Sequence, residues 1–270
     1  LKAPAFAYAK PRSLEEAFEL IERPGAKILA GGQSLIASLN MRLSQPELLV
    51  DITGLPGLSE IRLDRGVLRI GALVTHTQLE NSEDVRRHVP LLAQAVPHIA
   101  HPAIRNRGTI GGSVALADPA AEYPACLLAL DATVVLYSHS GERLAGAGEF
   151  FRGLFETDIR PGEIVAAVEF PALKKDERSV FLELTRRHGD YAIIGLAAHW
   201  GADKRFVYCG AGATPVFAAR ASGAKTLEQA RHALKEDLDP PADLYNSSQA
   251  KRHLAGVLLE RAWTTLSKPH

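Results

Sequence analysis

Cysteine is almost absent: the 270 residues include only Cys126 and Cys209, far apart and each in apolar surroundings. Two such thiols make neither a disulfide framework nor a metal site, and they read as small buried hydrophobes in a reducing compartment. Charge of either sign is not in excess, because 31 Lys and Arg balance 31 Asp and Glu. With no long basic run, nucleic acid is not an expected partner, since backbone phosphates are held by clustered cations. No apolar run reaches the roughly 20 residues that span a bilayer; the longest candidate, 125–137, is broken by Asp131. The opening LKAPAFAYAKPRS has no apolar core of a secretory signal, so a cytoplasmic location is expected. GxGxxG, a Walker loop, HExxH, CxxC and GxSxG are also missing, which removes the usual Rossmann, P-loop, zincin and hydrolase routes. The ten histidines are scattered, and no metal site or nucleophile–base–orienter set is apparent.

What is present is 46% hydrophobic and 23% charged, the balance of a globular chain long enough for two or three subdomains. One stretch stands apart, HPAIRNRGTIGGSVALADPAAEYP at 101–124. Gly108, Gly111 and Gly112 fall within five positions, a poor composition for helix or strand. Glycine instead lets backbone N–H groups converge on an anion at close range. Upstream, Ile28-Leu29 reads as a short buried strand running into Ala30-Gly31-Gly32-Gln33-Ser34-Leu35. Two glycine corners with hydroxyls at Ser34, Thr109 and Ser113 suit two loops closing on one elongated, phosphate-bearing ligand such as a diphosphate dinucleotide. Two ordinary tight turns would give the same spacing, so the pattern alone leaves both readings open.

The segments AGGQSL, RNRGTIGG and ADPAAEYP together resemble the flavin-binding medium subunit of the molybdenum hydroxylases, the group of carbon monoxide dehydrogenase, quinoline oxidoreductase and xanthine dehydrogenase. KPRSLEEAFEL, TRRHGDYAI and KRHLAGVLLERA extend the resemblance, in order, over nearly the whole chain. It implies an FAD-binding domain of the vanillyl-alcohol-oxidase/PCMH type in two subdomains, followed by a C-terminal antiparallel sheet with helices. It further implies electron transfer through FAD from the [2Fe-2S] clusters of a small subunit to an external acceptor. Substrate oxidation would belong to a large molybdopterin subunit, in a dimer of heterotrimers. On the same resemblance, Leu29, Ala30, Gly31, Gly32, Gln33, Ser34 and Leu35 line the diphosphate and ribityl side. Gly108, Thr109, Ile110, Gly111, Gly112 and Ser113 then line the ring side, and Glu122 hydrogen-bonds a polar part of the cofactor. Ile99, Ala100 and Val165 supply apolar packing, and Tyr191 covers a ring face. His76 is equally readable as a cofactor neighbour and as a surface helix residue. Glu183 stands where relatives often carry Lys at the flavin's polar edge, with Arg186 or Arg187 as substitute cations.

The elements read from pattern make an α+β chain, because regular βα alternation is missing. A helix capped at Ser13 precedes the first corner. Helix at 35–43 and strand at 48–52 follow, closing a subdomain near Leu58 (1–58). A hairpin at 60–70, a Thr75–Gln78 capping box, helices at 82–89 and 91–100, a helix or strand at 126–130 and strands at 132–137, 141–144 and 163–170 fill the second (59–175). Beyond a polar linker, strands at 179–184, 192–200 and 205–210 and helices at 226–235 and 248–266 form the third (176–270). The leading expectation is an FAD-bound electron-transfer subunit. A stand-alone flavoprotein oxidoreductase and a non-redox nucleotide-binding scaffold are the alternatives.

Overall fold

A computed structural model describes residues 2–268. The N-terminal unit runs β1 (Ala7–Ala9), α1 (Leu14–Ile21), β2 (Ala26–Leu29), α2 (Leu35–Asn40) and β3 (Leu48–Asp51), with β3 pairing in parallel with both other strands. Ser13 caps α1, its hydroxyl accepting the Glu16 N–H at 3.2 Å, while Glu16 takes the Arg12 N–H at 2.7 Å. Ala17, Phe18 and Leu20 of α1 pack on Val50 and Ile52. β2 is only half-buried, against expectation, because its flank forms the wall of a cavity. α2 ends at Asn40 rather than 43, where Arg42 turns left-handed (φ 59°).

The middle unit begins with the hairpin β4 (Ile61–Asp64) and β5 (Val67–Gly71), turned by Arg65 and Gly66, both at positive φ as a type I′ connection requires. A run of short helices follows: α3 (His76–Asn81), α4 (Glu83–His88), α5 (Pro90–Ala95), α6 (Pro102–Arg105), α7 (Ile110–Leu116) and α8 (Glu122–Ala129). The expected single helix at 91–100 is thus interrupted. Pro97 sits in a one-turn 3₁₀ segment at Val96–His98, and Ala100 is left-handed (φ 44°). Then come β6 (Thr133–Ser138), β7 (Gly141–Gly146), α9 (Ala147–Phe150), the small pair β8 (Phe151–Gly153) and β9 (Glu156–Thr157), and β10 (Ile164–Pro171). The antiparallel order is β4-β5-β10-β6-β7, so the last strand is inserted centrally and is apolar on both faces. A bulge between Val165 and Ala167 frees the Ala166 carbonyl to accept the Ala72 N–H at 2.9 Å.

The C-terminal unit is a meander of β11 (Arg178–Leu184), β12 (Ile194–Trp200), β13 (Lys204–Cys209) and β14 (Val216–Phe217), followed by α10 (Ala219–Gly223), α11 (Leu227–Asp237) and α12 (Ser248–Leu266). One face of its sheet packs on the C-terminal helices through Leu196, Phe206 and Tyr208. The other, through Phe181, Ala197 and Cys209, joins the core of the middle unit. β11 is one of the two edge strands, and Gln94 of α5 covers it: its carbonyl accepts the Phe181 N–H at 3.1 Å and its amide donates to Ser179 O at 3.4 Å. Both cysteines are free and buried.

Candidate functional site

The two glycine corners meet. A β-carbon on Gly31 would overlap the Arg107 carbonyl and lie 2.9 Å from Gly108 Cα, so the backbones touch where no side chain fits. A cavity of about 730 Å³ opens beside this contact. It is lined by Ala30 to Leu35, His76, Ile99, Ala100, Gly108, Thr109, Gly111 to Ser113, Glu122, Val165 and Tyr191. A second recess, of about 480 Å³, shares Ala30 to Gln33 as its wall, and Leu29 lines this one instead. Ile110 lines neither: as the first residue of α7 its side chain points into the core and is fully buried.

The corners differ in what their backbones offer. Among the described residues, no hydrogen bond takes up the amide N–H groups of Gly31, Gly32, Gln33, Ser34 or Leu35. Gly32 adopts φ +73°, and the Ser34 hydroxyl makes no cap bond to α2. This corner has the free donors of an anion cradle. The second corner is not the expected open nest. Gly111 and Gly112 lie inside the first turn of α7, whose N-cap Thr109 accepts the Gly112 N–H at 3.1 Å. Ile110 and Gly111 donate to the carbonyls of Val74 and Ala72 at 3.1 and 2.9 Å, and Ser113 donates to Thr109 O at 3.1 Å. The amides from Ile110 to Ser113 are spent on structure, so this stretch gives the cavity the Ser113 hydroxyl and close approach. Glycine is needed at 111 because a β-carbon would lie 2.8 Å from the Ala72 carbonyl oxygen.

His76 is buried and faces the cavity, not solvent. Its Nδ1 is 3.0 Å from the Tyr123 hydroxyl. Burial first, and the nearby Arg105 second, lower its pKa to about 4, so the imidazole is neutral at physiological pH. A β-carbon on Gly108 would sit 2.6 Å from Nε2. Glu122, at 7% exposure, lines the cavity from the first turn of α8. Burial pushes its pKa up to about 7, with Asp118 adding repulsion. Tyr191, 72% exposed, stands at the mouth rather than in the core. Arg186 and Arg187 do not line the cavity: Arg186 stacks on Tyr245 at 4.1 Å, and both are exposed.

Pattern reading missed three residues. Arg105 is buried, pairs with Glu80 at 3.0 Å and donates to the carbonyls of Ile99 and Ala100 at 3.1 Å each, fixing the turn that supplies the apolar wall. Tyr123 orients His76. Asp118 lines the cavity and accepts the Ala120 N–H at 2.9 Å. All three lie within or beside the glycine-rich stretch, but only a three-dimensional contact separates them from ordinary helix residues.

One cavity lined by Gly31 to Leu35 with their free amides, by the buried carboxyl of Glu122 and by the apolar Ile99, Ala100 and Val165 fits an anionic ligand with an apolar part and a polar edge. Comparison with known proteins agrees. Residues 4–173 match the family described as FAD binding domain in molybdopterin dehydrogenase. The chain is 40% identical to the 6-hydroxypseudooxynicotine dehydrogenase complex subunit alpha of Paenarthrobacter nicotinovorans, covering 99% of this chain and 95% of that one. It superposes on carbon monoxide dehydrogenase from Hydrogenophaga pseudoflava with a TM-score of 0.92 at 32% identity, and on quinoline 2-oxidoreductase from Pseudomonas putida 86 with 0.91 at 34%. Each match covers 98% of both chains. Among the described residues, no helix is long and apolar enough to cross a membrane. With a family match over more than half its length and relatives aligned nearly end to end, the chain belongs to the FAD-binding subunits of the molybdopterin dehydrogenases.

Proposed function

We propose that this chain holds FAD in the cavity between its glycine corners, and that it is the electron-transfer subunit of a three-component molybdenum hydroxylase. The observation that carries the reading is that Gly31 to Leu35, whose amides no hydrogen bond takes up among the described residues, line the same cavity as the buried Glu122. Those amides would donate to the diphosphate, a role that requires no lysine in a chain of zero net charge. Ile99, Ala100 and Val165 exclude water from the ring's surroundings, and Tyr191 is free to cover the ring at the mouth. The flavin, when bound, supplies the capacity to take up and pass on electrons. Among the described residues, no cluster of three or more His, Cys, Asp or Glu side chains could hold a metal ion. The electrons would come from the [2Fe-2S] clusters of a small subunit, with substrate oxidised in a large molybdopterin subunit. The assembly would be a dimer of heterotrimers in the cytoplasm.

Purification of the native complex tests both halves. A yellow chain with one FAD, copurifying with an iron–sulfur and a molybdopterin subunit, is the expected result. A colourless chain that takes up no FAD on titration would overturn the cofactor assignment. A flavin-loaded chain that stays alone on co-expression would overturn the assembly.

A further inference from the structure

His76 is held from three sides. Its N–H donates to the Gly108 carbonyl at 3.0 Å, the Thr75–Gln78 capping box fixes its place at the start of α3, and its ring meets that of Tyr123 edge-on with centroids 5.3 Å apart. The two ring nitrogens have different surroundings. Nδ1 lies 3.0 Å from the hydroxyl of Tyr123, a fully buried residue of α8. Nε2 lies beside Gly108, where a β-carbon would come within 2.6 Å of it, and both residues line the cavity. Among the described residues, the contact with Nδ1 is the one hydrogen bond of the Tyr123 hydroxyl. A hydroxyl has a single proton to place, and a buried donor left without an acceptor costs more than an unused lone pair. Nδ1 can accept that proton only if it carries none of its own. A proton on Nδ1, in the other neutral tautomer or in the imidazolium, would strand the tyrosine's donor in the core. Burial and the neighbouring Arg105 act in the same direction, since both favour the neutral ring. The one proton of that ring then belongs to Nε2.

We propose that Tyr123 is a positioning residue: its hydroxyl fixes His76 as the Nε2–H tautomer and so makes the imidazole a hydrogen-bond donor into the cavity, matched to an acceptor atom of the ligand. The tautomer follows from the chain's own hydrogen bonds. Only the identity of the ligand, FAD, rests on the flavin reading. A donor at Nε2 suits a carbonyl, a ring-nitrogen lone pair or a ribityl or phosphate oxygen, and it rejects an N–H edge. Tyr123 touches no ligand in this role, because it stands behind the imidazole in the core. No proton is transferred on binding; the hydroxyl sets which nitrogen already holds it.

Proton–nitrogen NMR of the full unliganded chain with ¹⁵N-labelled histidine reads the tautomer directly, the His76 signals being those lost in H76Q. Wild type should show Nδ1 unprotonated and Nε2 protonated. In Y123F the hydroxyl is gone and the two tautomers should mix, drawing the two nitrogen signals towards each other. A protonated Nδ1 in wild type, or an unchanged pattern in Y123F, would overturn the proposal. Titration with FAD tests the donor itself. H76M fills the space without an N–H and should bind FAD roughly fivefold to tenfold more weakly, the effect of one lost hydrogen bond. H76Q can place an amide N–H where Nε2 stood and should regain most of that loss. Equal weakening in H76M and H76Q, or none in H76M, would remove the donor role. If wild type takes up no FAD while the NMR pattern is as expected, the flavin reading falls and the Tyr123-oriented donor stands.

Discussion

The two glycine corners look alike on paper and work in opposite ways. From Gly31 to Leu35 the first corner lines the cavity with amides that no intramolecular hydrogen bond takes up among the described residues. Gly111-Gly112 spends its donors on a capped helix and on the Val74 and Ala72 carbonyls. The first corner pays for its openness with an unsatisfied backbone that a ligand must complete. The second is rigid before any ligand arrives, held through Ala72 to the bulge in β10. A Gly-Gly pair therefore names a place where a side chain is excluded, and only the hydrogen bonds around it tell whether a ligand or the protein's own backbone occupies the space.

The largest expected effect lies at the closed corner. Gly111→Ala forces a β-carbon onto Ala72, where backbone as well as side chain stands in the way, and overpacking of that kind costs about 3 kcal/mol. Urea denaturation of the unliganded chain should show the loss with or without FAD titration. If Gly111→Ala leaves the midpoint unchanged and only weakens FAD binding, the contrast between the corners is wrong. Gly32→Ala is milder. Its β-carbon would lie 3.2 Å from Ile36 Cγ1 and 3.3 Å from Leu29 Cδ1, but at φ +73° it carries a strain of about 1–2 kcal/mol. Relief of that strain would reorient the free amides, so a fold that survives with roughly tenfold weaker FAD binding is expected.

The buried carboxyls give the comparison a pH axis. Glu183 has its folded pKa raised from 4.5 to about 8, so the folded chain binds a proton that the unfolded chain has lost. The contribution of this group is therefore fully present below about pH 4.5 and declines as pH rises towards 8, by on the order of a few kcal/mol. Thermal melts of the unliganded chain across that range should show the decline, and Glu183→Gln should flatten it. A melting temperature that rises steadily from pH 5 to 8 in wild type would contradict the neutral carboxyl.

Most elements were legible because their signals are local. The Thr75–Gln78 capping box forms in full, and the hairpin turned by Arg65-Gly66 sits where its sequence puts it. The site was legible as a set of segments, since Ala30 to Leu35 and eleven residues of the stretch 101–124 line one cavity. Long-range bonds were not. That α7 starts at Ile110 depends on carbonyls of Ala72 and Val74, some forty residues away, which overrule glycine's weak helix propensity. The Tyr123–His76 contact and the Glu183–Gly195–Cys209 row likewise depend on pairings between distant strands and helices.

The finest test swaps one hydroxyl at each corner. Thr109 caps α7 through its side chain, so Thr109→Ala should lower the stability of the unliganded chain by about 1 kcal/mol. Ser34 caps nothing, and Ser34→Ala should change that stability by less than about 0.5 kcal/mol. FAD titration should reverse the order. Ser34→Ala removes a hydroxyl free to bond the diphosphate, and loss of one such bond weakens binding roughly fivefold to tenfold. At Thr109 the oxygen is already engaged by the Gly112 N–H, so its loss acts on affinity only through the helix it starts. Measured together, the two variants separate a corner that waits for its ligand from one that is complete without it. Equal effects on stability and affinity at both positions would erase that distinction.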